Sequence, residues 1–146
     1  MDKRFIRTVS LLGENSVQKL ADSHIAIFGV GGVGSYALEA LVRSGVGNID
    51  VFDNDTVSVS NINRQIIATS GNVGEKKTDA ALKRAREINP DVNIEGFDLF
   101  YMPDTAETVD LTKYDYIIDA IDTVSGKLAI IEKAYFLGKP VISSMG

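Results

Sequence analysis

Residues 25–55 read IAIFGVGGVGSYALEALVRSGVGNIDVFDND, and the order of residue types in this stretch decides the fold. The apolar run Ile25–Phe28 fits a buried strand and stops at Gly29, with Gly31, Gly32 and Gly34 close behind. Val33, Ala37, Ala40, Leu41 and Ser44 then recur at three- and four-residue steps, and Glu39 stands four before Arg43, which predicts a helix with that apolar stripe. A second strand, Asn48–Phe52, ends at Asp53, 19 residues after Gly34. Strand, glycine turn, helix, strand and acid, in this order, form a nucleotide-binding unit. Gly29 makes the tight turn, Gly31 admits backbone to a phosphate, and Gly34 lets the helix pack on the strand. The free N–H groups of the helix start favour an anion, and Asp53 accepts from ribose hydroxyls.

Working outward, Arg4–Ala21 reads as helical, with Phe5, Val9, Leu12, Val17 and Leu20 on a buried face and Gly13 as a break. Arg4 and Arg7, one turn apart, read by themselves as solvated. The polar stretch 56–77 suits neither core nor plain helix; Ser60 or Asn61 caps a short turn holding Arg64 and Gln65. Glu75–Ile88 is a charged amphipathic helix with Thr78, Ala81, Leu82, Ala85 and Ile88 as its apolar stripe. Val92–Leu99 reads as a third strand, Asp104–Leu111 as a short helix or irregular crossover, and Tyr114–Ile121 as a fourth strand. Val124–Leu137 is a helix stepping through Leu128, Ile131 and Tyr135, and residues 141–144 form a fifth strand. The alternation predicts an α/β, doubly wound, Rossmann-like fold: a mainly parallel sheet with helices on both faces and an N-terminal helical arm. The expected division is an arm over 1–22 and a nucleotide-binding domain over 23–146, read as the N-terminal part of a longer protein. The strand ends at Gly29–Gly34, Asp53–Asp55 and Asp119–Asp122 are expected to converge on one crevice.

Composition narrows the chemistry. The chain has 146 residues, 45% of them hydrophobic, which is enough for a real core. Its 15 basic and 20 acidic residues leave a charge of −5, so no whole-domain attraction to nucleic acid is expected. With no cysteine, disulfides, thiolate zinc sites and thiol nucleophiles are absent. Charged residues interrupt every apolar run, no membrane span or secretory leader is expected from this segment, and a cytoplasmic location is the default. The single histidine, His24, just before the first strand, reads as structural.

An NAD-dependent oxidoreductase needs the glycine turn and Asp53 but has little use for Arg64 and Lys77 beyond the second strand. A triphosphate calls for such cations, and its magnesium calls for a carboxylate that leaves waters on the metal. Asp122 is the candidate, although it could equally cap the helix that follows.

GVGGVG, DNDTVSVSNINRQ, GEKK and DAIDT together resemble the ATP-dependent adenylating enzymes of the ThiF, MoeB and HesA type, bacterial relatives of ubiquitin-activating enzymes. RFIRTVSLLGE, SNINRQIIA and PVISSMG resemble most the branch of that family that cyclises threonylcarbamoyladenosine at tRNA position 37 by dehydration. The resemblance implies ATP and Mg²⁺ as cofactors, with Gly31 and Gly32 under the phosphates and Asp53 on the ribose. Asp55, Asn61 and Gln65 would line the site, Arg64 and Lys77 would grip the phosphates, and Asp122 would bind the metal. Arg7 would reach a neighbouring subunit's ATP, which implies a homodimer. The partner would be tRNA carrying threonylcarbamoyladenosine. The alternative is the C-terminus of a small ubiquitin-like sulfur carrier, and the missing cysteine disfavours thiol relays of that kind. A non-catalytic nucleotide sensor is the remaining rival.

Overall fold

The computed structural model describes residues 2–145; Met1 and Gly146, the outer ends of the expected segments 1–22 and 23–146, lie outside them. Strands β1 (His24–Phe28), β2 (Asn48–Phe52), β3 (Asn93–Phe97), β4 (Tyr116–Asp119) and β5 (Val141–Ser143) form one sheet in the order β3-β2-β1-β4-β5. Every pairing is parallel. The helices are α1 (Ile6–Leu12), α2 (Glu14–Asp22), α3 (Gly34–Ser44), α4 (Lys77–Ile88) and α5 (Val124–Phe136).

Alternation along β1 sends its side chains to two cores. Ile25 and Ile27 pack with Leu38 and Val42 of α3 and Ala81 and Ala85 of α4. Ala26 and Phe28 pack on the opposite face with Ile130 and Ala134 of α5 and with Leu111 and Tyr114. Helices therefore cover both faces, and the chain reverses direction across the sheet between β1 and β4. In open parallel sheets that switch point is where a crevice opens at the carboxyl ends.

Several helical faces differ from those the spacing suggested. On α3 the buried residues are Gly34, Ser35, Leu38 and Val42, one position off the expected stripe, and Ala40 is exposed. On α5 the buried residues are Gly126, Lys127, Ile130 and Ala134, whereas Leu128 is 61% and Tyr135 79% exposed. Spacing alone could not choose between two apolar faces of that helix. The arm buries no residue completely, and Leu12 is half exposed. Its break at Gly13 is as expected, at φ 86°.

Boundaries shifted as well. Helix α4 begins at Lys77 because Lys76 forms an isolated bridge with Thr56. Strand β4 spans four residues rather than the eight expected over 114–121, and β3 ends at Phe97. The crossover after β3 contains two 3-10 turns, Ala106–Thr108 and Leu111–Lys113.

Arg4 is not simply solvated. Its guanidinium pairs with Asp2 and Asp91 and donates to Asn89, clasping the arm to the turn before β3. His24 lies at the amino end of β1, 3.3 Å from buried Asp50, which also accepts from the Tyr114 hydroxyl at 2.6 Å.

The α3–α4 seam carries a charge-dependent stability. Hydrogen bonds from Arg84 hold the Glu39 carboxyl below the usual range; burial opposes this and Arg43 adds to it. A depressed folded value makes the contribution present above the unfolded value of about 4.3 and lost as pH falls through the folded one. Glu39→Gln should lower Tm at neutral pH and lose less stability than the parent below about pH 4.3, read from parallel thermal melts.

Candidate functional site

At the carboxyl end of the sheet a cavity of about 470 Å³ opens beside the β1 and β4 ends. Its floor is the glycine turn. Gly29 adopts φ 89°, and a Cβ there would stand 2.7 Å from the Ala120 carbonyl oxygen, so β1 and the chain after β4 approach too closely for any side chain. Gly31 and Gly32 form the cavity surface. Among the described residues, no backbone acceptor takes their N–H groups. They precede α3, whose dipole adds positive potential at the same point.

Gly34 has a different role. A Cβ there would fall 1.7 Å from the Gly29 carbonyl oxygen, so it closes the turn from behind and does not line the cavity.

The second wall comes from β2 and the segment after it. Asp53 is half buried: its Oδ2 accepts from the Val30 N–H at 3.0 Å and its Oδ1 from the Asp55 N–H at 2.9 Å. It braces the glycine turn and still faces the cavity, where each oxygen keeps a further lone pair. Asn54, Asp55 and Asn61 follow on the same wall.

Asn61 is the organiser of its turn. Its side-chain oxygen accepts from the Ser58 N–H at 2.9 Å, and its carbonyl accepts from the N–H groups of both Arg64 and Gln65. Ser58, rather than the expected Ser60 or Asn61, is the N-cap. This turn places the Arg64 stem 3.6 Å from where a Gly32 Cβ would be. The guanidinium donates to the Ser60 carbonyl at 2.8 Å and has no carboxylate partner among the described residues.

Lys77, the first residue of α4, is 6% exposed. Its ammonium has one side-chain partner, the exposed Asp55 carboxylate, at a long 3.4 Å. A buried cation so thinly compensated favours an anionic ligand. Asp122 enters from the loop after β4. It is exposed, lines the cavity and makes no hydrogen bond or ion pair among the described residues. It does not cap α5, whose N-cap is Thr123.

One cavity thus gathers Gly29, Gly31, Gly32, Asp53, Asp55 and Asn61 with Arg64, Gln65, Lys77 and Asp122. Two residues expected in the crevice lie elsewhere. Gly34 lies behind the surface, as described. Asp119, expected in the crevice, is wholly buried and paired with Lys127 at 2.9 Å. Arg7, expected to serve a neighbouring subunit's site, is exposed on α1 and far from its own chain's cavity: the arm packs through Phe5 against Gly45, at the opposite end of α3 from the glycine turn, about 16 Å away for eleven helical residues.

The sequence reading also missed an apolar wall made by Phe52, Leu99, Phe100 and Tyr101. Phe52 stacks between Phe28 and Phe97, at centroid distances of 4.5 and 4.8 Å. The third strand was expected to run to Leu99; instead the chain turns after Phe97 and folds over the cavity. Among the described residues two buried polar atoms, Gln65 Oε1 and the Tyr101 hydroxyl, lack a hydrogen-bond partner, and burial pushes the Tyr101 phenol up to about 12.

The cavity suits an elongated polyanion with an apolar head group. No group of three or more His, Cys, Asp or Glu side chains able to hold a metal occurs among the described residues. The free Asp122 carboxylate nevertheless fits magnesium, which keeps waters and phosphate oxygens and takes one or two carboxylates.

The model of the ThiF family matches residues 3–146. The tRNA threonylcarbamoyladenosine dehydratase of Escherichia coli K12 is 46% identical over 129 residues, covering 88% of this chain and 48% of the relative. The enzyme of that name from Bacillus subtilis 168 is 40% identical over 143 residues, covering 98% and 56%. Crystal structures of the E. coli dehydratase, TcdA, in complex with AMP and with ATP superimpose with TM-scores of 0.95 and 0.92. Both are 42% identical, with 99% of this chain and 58% and 59% of theirs covered. The chain spans about half the length of these relatives.

Proposed function

The chain belongs to the ThiF family, and from that premise we propose that it forms the nucleotide-binding part of an ATP-dependent adenylating enzyme, a tRNA threonylcarbamoyladenosine dehydratase. The observation that carries this reading is the thinly paired Lys77 ammonium in one cavity with the Arg64 guanidinium, the glycine N–H groups and the unpaired Asp122 carboxylate. The structures of the E. coli dehydratase in complex with AMP and with ATP favour ATP as the nucleotide.

Residues 23–146 hold the nucleotide and residues 1–22 form the arm. Gly31 and Gly32 receive phosphate oxygens, Asp53 takes the ribose, and the Phe52–Leu99–Tyr101 wall takes the base. Asp122 would hold Mg²⁺, which supplies charge neutralisation of the phosphates when bound.

A carboxylate oxygen of the substrate attacks the α-phosphorus; the O–P bond forms and the bond to pyrophosphate breaks. Charge accumulates on the departing pyrophosphate, where Arg64 and Lys77 meet it. A second group of the same side chain then displaces AMP and loses its proton. AMP carries away one oxygen of the original carboxylate, so the substrate has lost water overall. The residues orient and stabilise charge, and little proton transfer by the protein is needed.

Arg7 acts, in this reading, on the nucleotide of a second copy in a homodimer in the cytoplasm. The tRNA surface is modest here, because Lys76 pairs with Asp98 and Arg84 with Glu39, leaving Lys83 and Arg86 as the α4 cations without an ion pair among the described residues.

ATP with Mg²⁺ at a hundredfold excess over Kd should stabilise the chain by about 2.7 kcal/mol. That is roughly 5–10 °C in Tm for a chain this size. NAD should give no comparable shift; an equal shift would favour an oxidoreductase. ATP consumption driven by threonylcarbamoylated tRNA, against a small ubiquitin-like protein, then decides the acceptor.

A further inference from the structure

We propose that Lys127 is the positioning residue of the Asp122 loop, tying the ends of β4 and β5 to the peptide that carries the metal-side carboxylate. This rests on the reading of Asp122 given above. Lysine on a surface helix ordinarily keeps its ammonium in water. Lys127, in the second turn of α5, is 8% exposed. Its Nζ donates to the Ile121 carbonyl at 2.7 Å and to the Ser144 carbonyl, and it pairs with Asp119 Oδ2 at 2.9 Å. Two of its three donors are spent on carbonyls and its charge is met by the buried Asp119 carboxylate. So enclosed, and absent from the cavity lining, Lys127 acts through what it holds.

Its partners are themselves fixed. Asp119 is fully buried, its Oδ2 also accepts from the Ser143 hydroxyl at 2.6 Å, and its carbonyl accepts from the Ser144 N–H at 2.9 Å. Asp119 Oδ1 accepts from the Ile121 N–H at 3.3 Å. Ile121 is therefore gripped at both its N–H and its C=O, the first by Asp119 and the second by Lys127. The Ile121 carbonyl shares a planar peptide unit with the Asp122 nitrogen, so orienting one orients the other. Among the described residues the Asp122 side chain makes no hydrogen bond or ion pair that would set its direction. The first turn of α5 adds a stop, because a Cβ at Gly126 would lie 2.8 Å from Ile121 Cδ1 and 2.4 Å from the Tyr101 carbonyl oxygen.

The test is calorimetric titration of ATP into this chain, with Mg²⁺ and with EDTA, for the parent, Asp122→Asn, Lys127→Arg and the double variant Asp119→Asn with Lys127→Met. Lys127→Arg keeps the buried charge; the double variant removes both members of the pair and so leaves no lone ion inside. Circular dichroism checks folding of each. Loss of an outer support for a metal-binding carboxylate typically costs roughly 10–100-fold, so both Lys127 variants should lose that much Mg²⁺-dependent affinity and change by less than about twofold in EDTA. Folded variants with the parent's Mg²⁺ dependence overturn the proposal, as does an equal loss with and without Mg²⁺. If Asp122→Asn itself retains the parent's Mg²⁺ dependence, the reading of Asp122 falls, and this inference with it.

Discussion

Replacing Arg64 by alanine should lower the rate of ATP-driven adenylation by roughly 10²–10³, the cost of removing one preorganised donor from a developing anion. The geometry makes this a rate effect rather than a folding effect. Arg64 is exposed, and among the described residues its guanidinium donates only to the Ser60 carbonyl and, at 3.4 Å, to Asn63. Loss of such contacts on a surface turn changes stability by no more than about 0.5 kcal/mol. The turn survives because Asn61 holds it through backbone and side-chain bonds that do not involve the guanidinium. Pyrophosphate release in the presence of the modified tRNA gives the rate, and thermal melts give the fold. Unimpaired turnover would remove Arg64 from the mechanism, and collapse of Tm would make its role structural.

Gly34→Ala should be the most damaging single methyl group in the chain. The added carbon would sit 1.7 Å from the Gly29 carbonyl oxygen and 3.3 Å from the Ala120 side chain. Backbone cannot yield as a flexible side chain does, so either α3 lifts off the turn or the turn distorts. Overpacking in a tight interior commonly costs about 1–3 kcal/mol, and a backbone overlap of this depth belongs at or above the top of that range. A fall in Tm of at least roughly 6 °C follows for a chain of this size, with loss of Mg-ATP binding as the turn opens. Gly71→Ala is the control, since only the Thr69 hydroxyl, at 3.9 Å, lies within 4 Å of its missing Cβ. A Gly34→Ala protein with the parent's Tm and nucleotide affinity would show that the turn relaxes easily.

The glycine turn was legible because Gly29, at φ 89°, and Gly34, against the Gly29 carbonyl, answer to steric demands that residue spacing records. The order of strands and helices was legible for the same reason: β1 and β2 start and stop within a residue of the apolar runs that announce them. The faces of α3 and α5 were less so. Ala40 and Tyr135 fit an apolar stripe on paper but are exposed, since a helix with two apolar sides turns whichever one the sheet can accommodate. The cavity's apolar wall was hidden because Leu99 read as strand and Phe100 and Tyr101 as connection, while pairing in fact ends at Phe97 and the chain turns over the site. Asp119 and Asp122 are three residues apart and chemically alike, yet one is sealed against Lys127 and the other stands free in the cavity.

By itself the sequence determined the alternating α/β plan, the nucleotide turn and the absence of thiol chemistry. Hydrophobic runs, glycines and missing cysteines act locally or by composition. Only the tertiary structure decided which carboxylate is spent internally, which lysines are buried and which helix faces look outward. Those outcomes depend on what lies across the sheet, and distances between strands far apart in the chain are not written in residue spacing.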